Sequence, residues 1–130
     1  MTQTKEEKIK VLLIEDEKEV AELYKLKLTL DGYEVITAEN GREGLDKANS
    51  YRPELIFLDI KMPEMDGFEV LKRLRAAART KDIPVVILSN FDEQDLIEKG
   101  LTLGANEYLI KSQFTPEDIS NKIKSWVSED

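Results

Sequence analysis

Three carboxylates, one hydroxyl and one amine are the side chains of this 130-residue sequence whose types and positions could act together chemically. Glu15 and Asp16 follow the apolar run Val11–Ile14, Asp59 follows Leu55–Leu58, Ser89 follows Val85–Leu88 and Lys111 follows Tyr108–Ile110. There is no histidine and no cysteine, so the usual general base, the nitrogen and thiolate metal ligands and any disulfide are absent. Metal chemistry here must be oxygen chemistry, which suits hard cations such as magnesium or calcium. Crowded carboxylates repel and raise one another's pKa. A divalent cation relieves that repulsion, and magnesium keeps several waters that a phosphate can displace. Beside such a cation Asp59 is the natural nucleophile, because carboxylate attack on phosphorus gives an acyl phosphate. Phosphoryl transfer needs mainly alignment and charge neutralisation. Lys111 and the cation supply the neutralisation, and the Ser89 hydroxyl can donate to a phosphoryl oxygen. Taken singly, Asp16 and Asp59 also read as a solvated acidic rim and Lys111 as a surface lysine. Their joint occurrence at four strand ends is what points to a site.

The elements that must position these groups are legible in the hydrophobic pattern. Val11–Ile14, Leu55–Leu58 and Val85–Leu88 are continuous apolar runs, the pattern of parallel strands covered on both faces. Tyr33–Ala38 mixes apolar and polar residues and reads as an edge strand, and Tyr108–Ile110 is a short fifth strand at the other edge. Between them, Val20, Leu23, Tyr24 and Leu28 recur at helical spacing up to Asp31–Gly32. Gly41–Ser50 forms a second helix closed by Arg52–Pro53. Phe68, Leu71, Leu74 and Ala78 make the stripe of a third, and Leu96, Ile97 and Leu101 that of a fourth ending near Gly104. Ile119, Ile123, Trp126 and Val127 stripe a fifth, with Pro116 in its first turn. Five strands alternating with five helices imply a three-layer α/β/α sandwich with right-handed crossovers. In open parallel sheets ligands sit at the carboxyl ends of the strands, where all five chemical groups fall.

The expected organisation is a single domain over residues 1–130 with its core at about 8–127. The formal net charge of −8 disfavours direct nucleic-acid binding, which rewards clustered Lys and Arg. No apolar run approaches the length of a membrane span, and Met1–Lys10 has no signal-peptide core. A soluble cytoplasmic protein is the plain expectation. Gly41–Arg42–Glu43–Gly44 lacks the Gly-Lys-Ser/Thr ending of a phosphate loop and is read as a helix turn. Met62–Pro63 and Asp66–Gly67 read as a turn leading into the third helix.

Val11–Glu17, Leu58–Gly67 and Tyr108–Lys111, with Gly104–Ala105 before the last strand, together resemble bacterial response-regulator receiver domains of two-component systems. The resemblance covers roughly Lys8 to Val127. It implies a flavodoxin-like sheet in strand order 2-1-3-4-5. It also implies that Asp59 accepts a phosphoryl group from a histidine kinase or a histidine phosphotransfer protein. Asp16, Asp59 and the backbone carbonyl of Lys61 would hold Mg2+, with Glu15 assisting through water. Ser89 and Lys111 would hold the phosphoryl oxygens, and Tyr108 would turn inward as Ser89 moves. The implied output is a changed surface of helix four, strand five and helix five, read by a downstream protein, with the chain a monomer or a weak phosphorylation-dependent dimer.

Several positions depart from the family's pattern. Ser112 stands where a proline, often after a cis peptide, is usual, so a trans bond is expected. Phe114 falls one residue late, and Asn90 replaces a very small residue beside Ser89. Lys61 and Phe91, two beyond Asp59 and Ser89, are expected to flank the entrance and tune dephosphorylation. A haloacid-dehalogenase-like phosphatase would need a second aspartate at position 61, where Lys61 stands, so no turnover of external substrates is expected. No loop has the spacing of a calcium site. The remaining alternative is a degenerate receiver that binds partners independently of phosphorylation.

Overall fold

Val11, Leu12, Leu13 and Ile14 are all buried, and a strand with no exposed face must lie inside a layered sheet. The computed structural model describes residues 7–127. Its elements run β1 (Lys10–Ile14), α1 (Lys18–Leu30), β2 (Glu34–Ala38), α2 (Gly41–Tyr51), β3 (Leu55–Leu58) and α3 (Gly67–Ala76). They continue through β4 (Val85–Ser89), α4 (Gln94–Thr102), β5 (Glu107–Ile110), a single 3-10 turn over Lys111–Gln113, and α5 (Pro116–Trp126). The five strands form one sheet in the order β2-β1-β3-β4-β5, and every neighbouring pair is parallel. The expected fold class, strand order and edge assignments all hold.

The side chains of each strand alternate between two cores. Leu12, Ile14, Ile56, Leu58 and Ile87 pack with Ala48, Phe68, Leu71 and Leu74 on one face. Val11, Leu13, Phe57, Val86 and Leu88 pack with Tyr24, Leu28, Ile119 and Ile123 on the other. This period-two division places α2, α3 and α4 on one side and α1 and α5 on the other. Local chemistry sets the helix ends. Asn40, Asp66 and Thr115 each accept the backbone N–H three residues on, and Thr115 with Asp118 completes a capping box. Arg52 closes α2 in the left-handed region at φ 56°. Gly32, at φ 99°, turns the chain out of α1, a conformation open to glycine.

Three stripes differ from their expected composition. Leu23 is 55% exposed, and the buried face of α1 is Ala21, Tyr24 and Leu28. In α4, Leu101 is exposed and Gly100 is buried against Ile87 and Tyr108. α3 stops at Ala76, so Ala78 lies outside it and exposed, while Thr80 is buried and its hydroxyl donates to the Leu74 carbonyl. In α1 and α4 the helix phase was settled by the layer beneath, and in α3 the difference is where the helix ends. Among the described residues no helix is long and apolar enough to cross a membrane.

Candidate functional site

The carboxyl ends of β1 and β3 deliver the acids side by side. The ladder runs one residue past both strands: Glu15 N–H donates to the Ala38 carbonyl at 2.9 Å and Asp59 N–H to that of Ile14 at 3.0 Å. The tips are therefore rigid, and Glu15, Asp16 and Asp59 place carboxylate oxygens within 4.8 Å of one another. Lys111 reaches the cluster from the turn after β5. Its Nζ lies 2.7 Å from Glu15 Oε1 and 3.8 Å from Asp59 Oδ1. The Asp59 Oδ1 also accepts the Ile60 N–H at 2.8 Å. An open cleft of about 530 Å3, lined by Asp16, Asp59, Lys61, Asn90, Phe91 and Lys111, leads to these groups. A larger cavity of about 850 Å3 lies against α1 and α5 near Asp31 and Ser120 and contains none of the strand-tip groups.

Electrostatics follow from this packing. Burial pushes the Asp59 carboxyl up to about 7, Lys111 opposes the shift, and Glu15 and Asp16 reinforce it. For Lys111 burial pulls downward, but the Glu15 hydrogen bond and the Asp59 charge outweigh it, and the net shift is upward. A carboxyl raised in this way beside two further acids marks a site with room for another positive charge. The donors present are all oxygens, one lysine already offsets part of the charge, and the carboxylates converge on one point. These features fit a hard divalent cation.

The structure brings together Glu15, Asp16, Asp59 and Lys111, and it sets Lys61 on the cleft wall. Glu15 is engaged with Lys111, and its other oxygen accepts the Glu17 N–H at 3.1 Å. Ser89 is fully buried, lies outside the cleft lining, and its Oγ accepts the Phe91 N–H at 3.0 Å. Tyr108 is half-buried against the α3–α4 core, and its hydroxyl donates to the Phe91 carbonyl at 2.9 Å. The ring already faces inward with Ser89 still bonded to Phe91. The peptides among the described residues are all trans, Lys111–Ser112 included, as expected from Ser112.

Sequence reasoning read Gly67 as part of the turn that leads into the third helix, and its position also sets how closely that helix approaches β3. Its N–H donates to the Ile60 carbonyl at 2.7 Å, and a Cβ there would overlap the Asp59 carbonyl oxygen and lie 2.8 Å from the Ile60 Cα. Glycine is what lets α3 start against the backbone that carries Asp59. Arg75 was missed altogether. Its guanidinium donates to the carbonyls of Lys81, Ile83 and Gly104 and to the Asn106 side chain, tying α3 to the segments that enter β4 and β5. No local pattern in the sequence marks it.

The comparisons with known proteins bear on the family and the fold. The sequence profile of the family described as response regulator receiver domain matches residues 11–124. This chain belongs to that family. The receiver is 38% identical over 116 residues to the alkaline phosphatase synthesis transcriptional regulatory protein PhoP of Bacillus subtilis, covering 89% of this chain and 47% of that protein. It is 36% identical over 119 residues to the probable transcriptional regulator ycf27 of Porphyra purpurea, covering 92% of this chain and 47% of that one. The receiver thus spans about half the length of the curated relatives it matches. Among solved structures, chemotaxis protein CheY4 of Vibrio cholerae superposes with a TM-score of 0.86 at 32% identity, covering 93% of this chain and 100% of that one. A receiver domain protein from Methanospirillum hungatei gives a TM-score of 0.84 at 27% identity, covering 92% and 93%. The receiver is a two-component signalling domain.

Proposed function

We propose that this receiver is a magnesium-dependent phosphoacceptor whose acceptor is Asp59. The observation that carries the reading is the convergence of Glu15, Asp16 and Asp59 within 4.8 Å at the base of an open cleft, with the Lys111 ammonium 3.8 Å from Asp59 Oδ1. Asp16, Asp59 and the Lys61 backbone would hold the ion, with Glu15 supporting through water. When bound, Mg2+ supplies positive charge that offsets the carboxylates and the incoming phosphoryl oxygens.

An Asp59 carboxylate oxygen attacks the phosphorus of a phosphohistidine on a partner protein. The N–P bond breaks, its electron pair stays on the imidazole nitrogen, and an acyl phosphate forms on Asp59. The Ile60 N–H keeps the carboxyl oriented through its bond to Oδ1. Lys111 moves from Glu15 toward the phosphoryl oxygens, a short shift because it already lies between both acids. Ser89 completes the cradle by donating its hydroxyl proton to a phosphoryl oxygen, and because the same oxygen accepts the Phe91 N–H, its movement links phosphorylation to the β4–α4 loop. The partner is a histidine kinase or a histidine phosphotransfer protein, and a downstream protein reads the α4–β5–α5 face. Lys61 supplies no general acid where a phosphatase would need one, so the domain turns over only its own phosphoryl group.

Intact-mass measurement after incubation with acetyl phosphate and magnesium tests the reading. One added phosphoryl group, absent without magnesium and absent in Asp59→Asn, is the expected result. A wild type that gains no phosphoryl group and binds no beryllofluoride would overturn it.

A further inference from the structure

Among the described residues four large apolar side chains stand exposed, and three of them, Leu23, Leu26 and Leu30, lie on α1. A single exposed leucine is ordinary on a protein surface. These three follow one another at steps of three and four residues, the a and d spacing of a coiled-coil seam. They fall on the side of α1 away from Ala21, Tyr24 and Leu28, which pack on the sheet. At 55%, 59% and 74% exposed, they give α1 a second apolar face that no described residue of its own chain covers. Glu22 and Lys27 border that face on opposite sides. An acid followed five residues later by a base occupies a g position and the next e position, which meet between two parallel helices. Antiparallel helices would set Glu22 against Thr29 and Lys27 against Val20, with no pairing of charge. Lys27 holds Asp31 of its own helix at 3.4 Å, and an ammonium has donors left for a second carboxylate. Glu19 continues the row toward the helix start, where two copies would bring like charges together. The complementary stretch therefore runs from Glu22 to Leu30.

We infer that the outer face of α1 is a self-association surface on which a second copy of this chain seats its own α1, parallel and about a twofold axis. Leu23, Leu26 and Leu30 meet their counterparts, and Glu22 of each copy pairs with Lys27 of the other. Such a contact is self-complementary and closes at two copies. The helix is already folded on its own domain, so pairing carries no cost of helix formation. The seam is short, and the total area covered is on the order of 1,000 Å2, the range of weak and transient contacts. A dissociation constant of about 0.1 mM is expected. Because α1 begins at Lys18, just after the acids at the end of β1, parallel pairing sets both strand-tip clefts at the same end of the dimer. Glu15, Asp16, Asp59, Ser89 and Lys111 all lie off the seam. The pairing therefore does not depend on Asp59 being the acceptor, and it is expected with and without acetyl phosphate.

Sedimentation equilibrium of the 130-residue chain tests the pairing. Wild type is expected to pass from monomer toward dimer between about 5 μM and about 1 mM. Leu26→Ala empties the central layer from both sides and should weaken the dimer at least about tenfold. Glu22→Lys should weaken it about three- to tenfold by setting lysine against lysine. Glu19→Leu removes the like charges and lengthens the apolar row, so it should tighten the dimer about tenfold. Leu101→Ala, at the exposed leucine on α4, should change nothing. At about 5 μM, where the chain is monomeric, every variant is expected to melt within about 3 °C of wild type, which separates lost pairing from lost folding. Register is read with one thiol, since the sequence holds no cysteine. Parallel helices bring residue 30 against its own copy, so Leu30→Cys should link into a disulfide dimer on mild oxidation much faster than Leu101→Cys. Antiparallel helices with Leu23 facing Leu26 would keep the two thiols roughly 16 Å apart and unlinked. A wild type still monomeric at about 1 mM would overturn the inference and leave the face to a different protein. So would a dimer that Leu26→Ala does not weaken, or a Leu30→Cys that links no faster than Leu101→Cys.

Discussion

Asp59→Asn is expected to stabilise the metal-free receiver, and to do so only above mildly acidic pH. In the folded protein burial raises the Asp59 carboxyl to about 7 from an ordinary value of 3.8. A tenfold difference in proton affinity between the folded and unfolded chain is worth about 1.36 kcal/mol, so the whole displacement sets a ceiling of about 4 kcal/mol. The net effect should be nearer 2 kcal/mol, since the cleft admits water and Lys111 can close its 3.8 Å gap to the carboxylate. A raised folded-state pKa favours folding while the group is protonated in the native state and loses that advantage as pH rises through the folded value. Below about pH 4 the carboxyl is neutral in both states and asparagine is a close isostere that still accepts the Ile60 N–H, so the two proteins should unfold together. Between about pH 4 and 7 wild type loses stability relative to the variant, and above that range the gap is constant. Thermal or urea unfolding in EDTA from pH 4 to 8.5 measures it, with an expected difference of about 6–10 °C at the alkaline end for a domain of this size. A difference that does not vary with pH, or one that is largest in acid, would refute the desolvation argument.

Asp16→Asn should likewise stabilise the metal-free form by relieving repulsion, and it should weaken the rise in melting temperature that magnesium produces by mass action. Equal magnesium responses in Asp16→Asn and wild type would remove Asp16 from the metal site. Gly67→Ala should destabilise by about 2–3 kcal/mol, because the added methyl must displace the backbone at Asp59 and Ile60. Urea unfolding reads that loss, and a neutral result would mean that the loop shifts freely. Arg75→Ala should cost about 2–3 kcal/mol by leaving the carbonyls of Lys81, Ile83 and Gly104 without their donor. Arg75→Lys should not restore it, since an ammonium lacks the planar fork. Leu28→Ala should cost about 2–5 kcal/mol and Leu26→Ala under about 0.5 kcal/mol, because Leu28 is fully buried and Leu26 is 59% exposed on the same helix.

The element order, the parallel sheet and the position of Asp16 and Asp59 at strand tips were all legible in the sequence. The reason is local. A run of four apolar residues, too short for a helix, reads as a doubly covered strand, and an acid directly after it falls at the strand's end. The end of α1 at Gly32 was legible for the same local reason, whereas the caps at Asn40, Asp66 and Thr115 were seen only in the structure. What the tertiary structure alone decided depends on partners distant in the chain. The Lys111–Glu15 pair joins residues 96 positions apart, and Arg75 serves three carbonyls in two separate segments. Periodicity showed that α1 is amphipathic, but whether Leu23 or Ala21 faces inward was set by the fit of α1 against the sheet and α5. Ser89 could be placed at the end of β4 from sequence, yet its burial beneath the cleft and its bond to Phe91 come from the packing of the β4–α4 loop. Side-chain chemistry along the chain named the reacting groups; the distances between them exist only once the layers have closed.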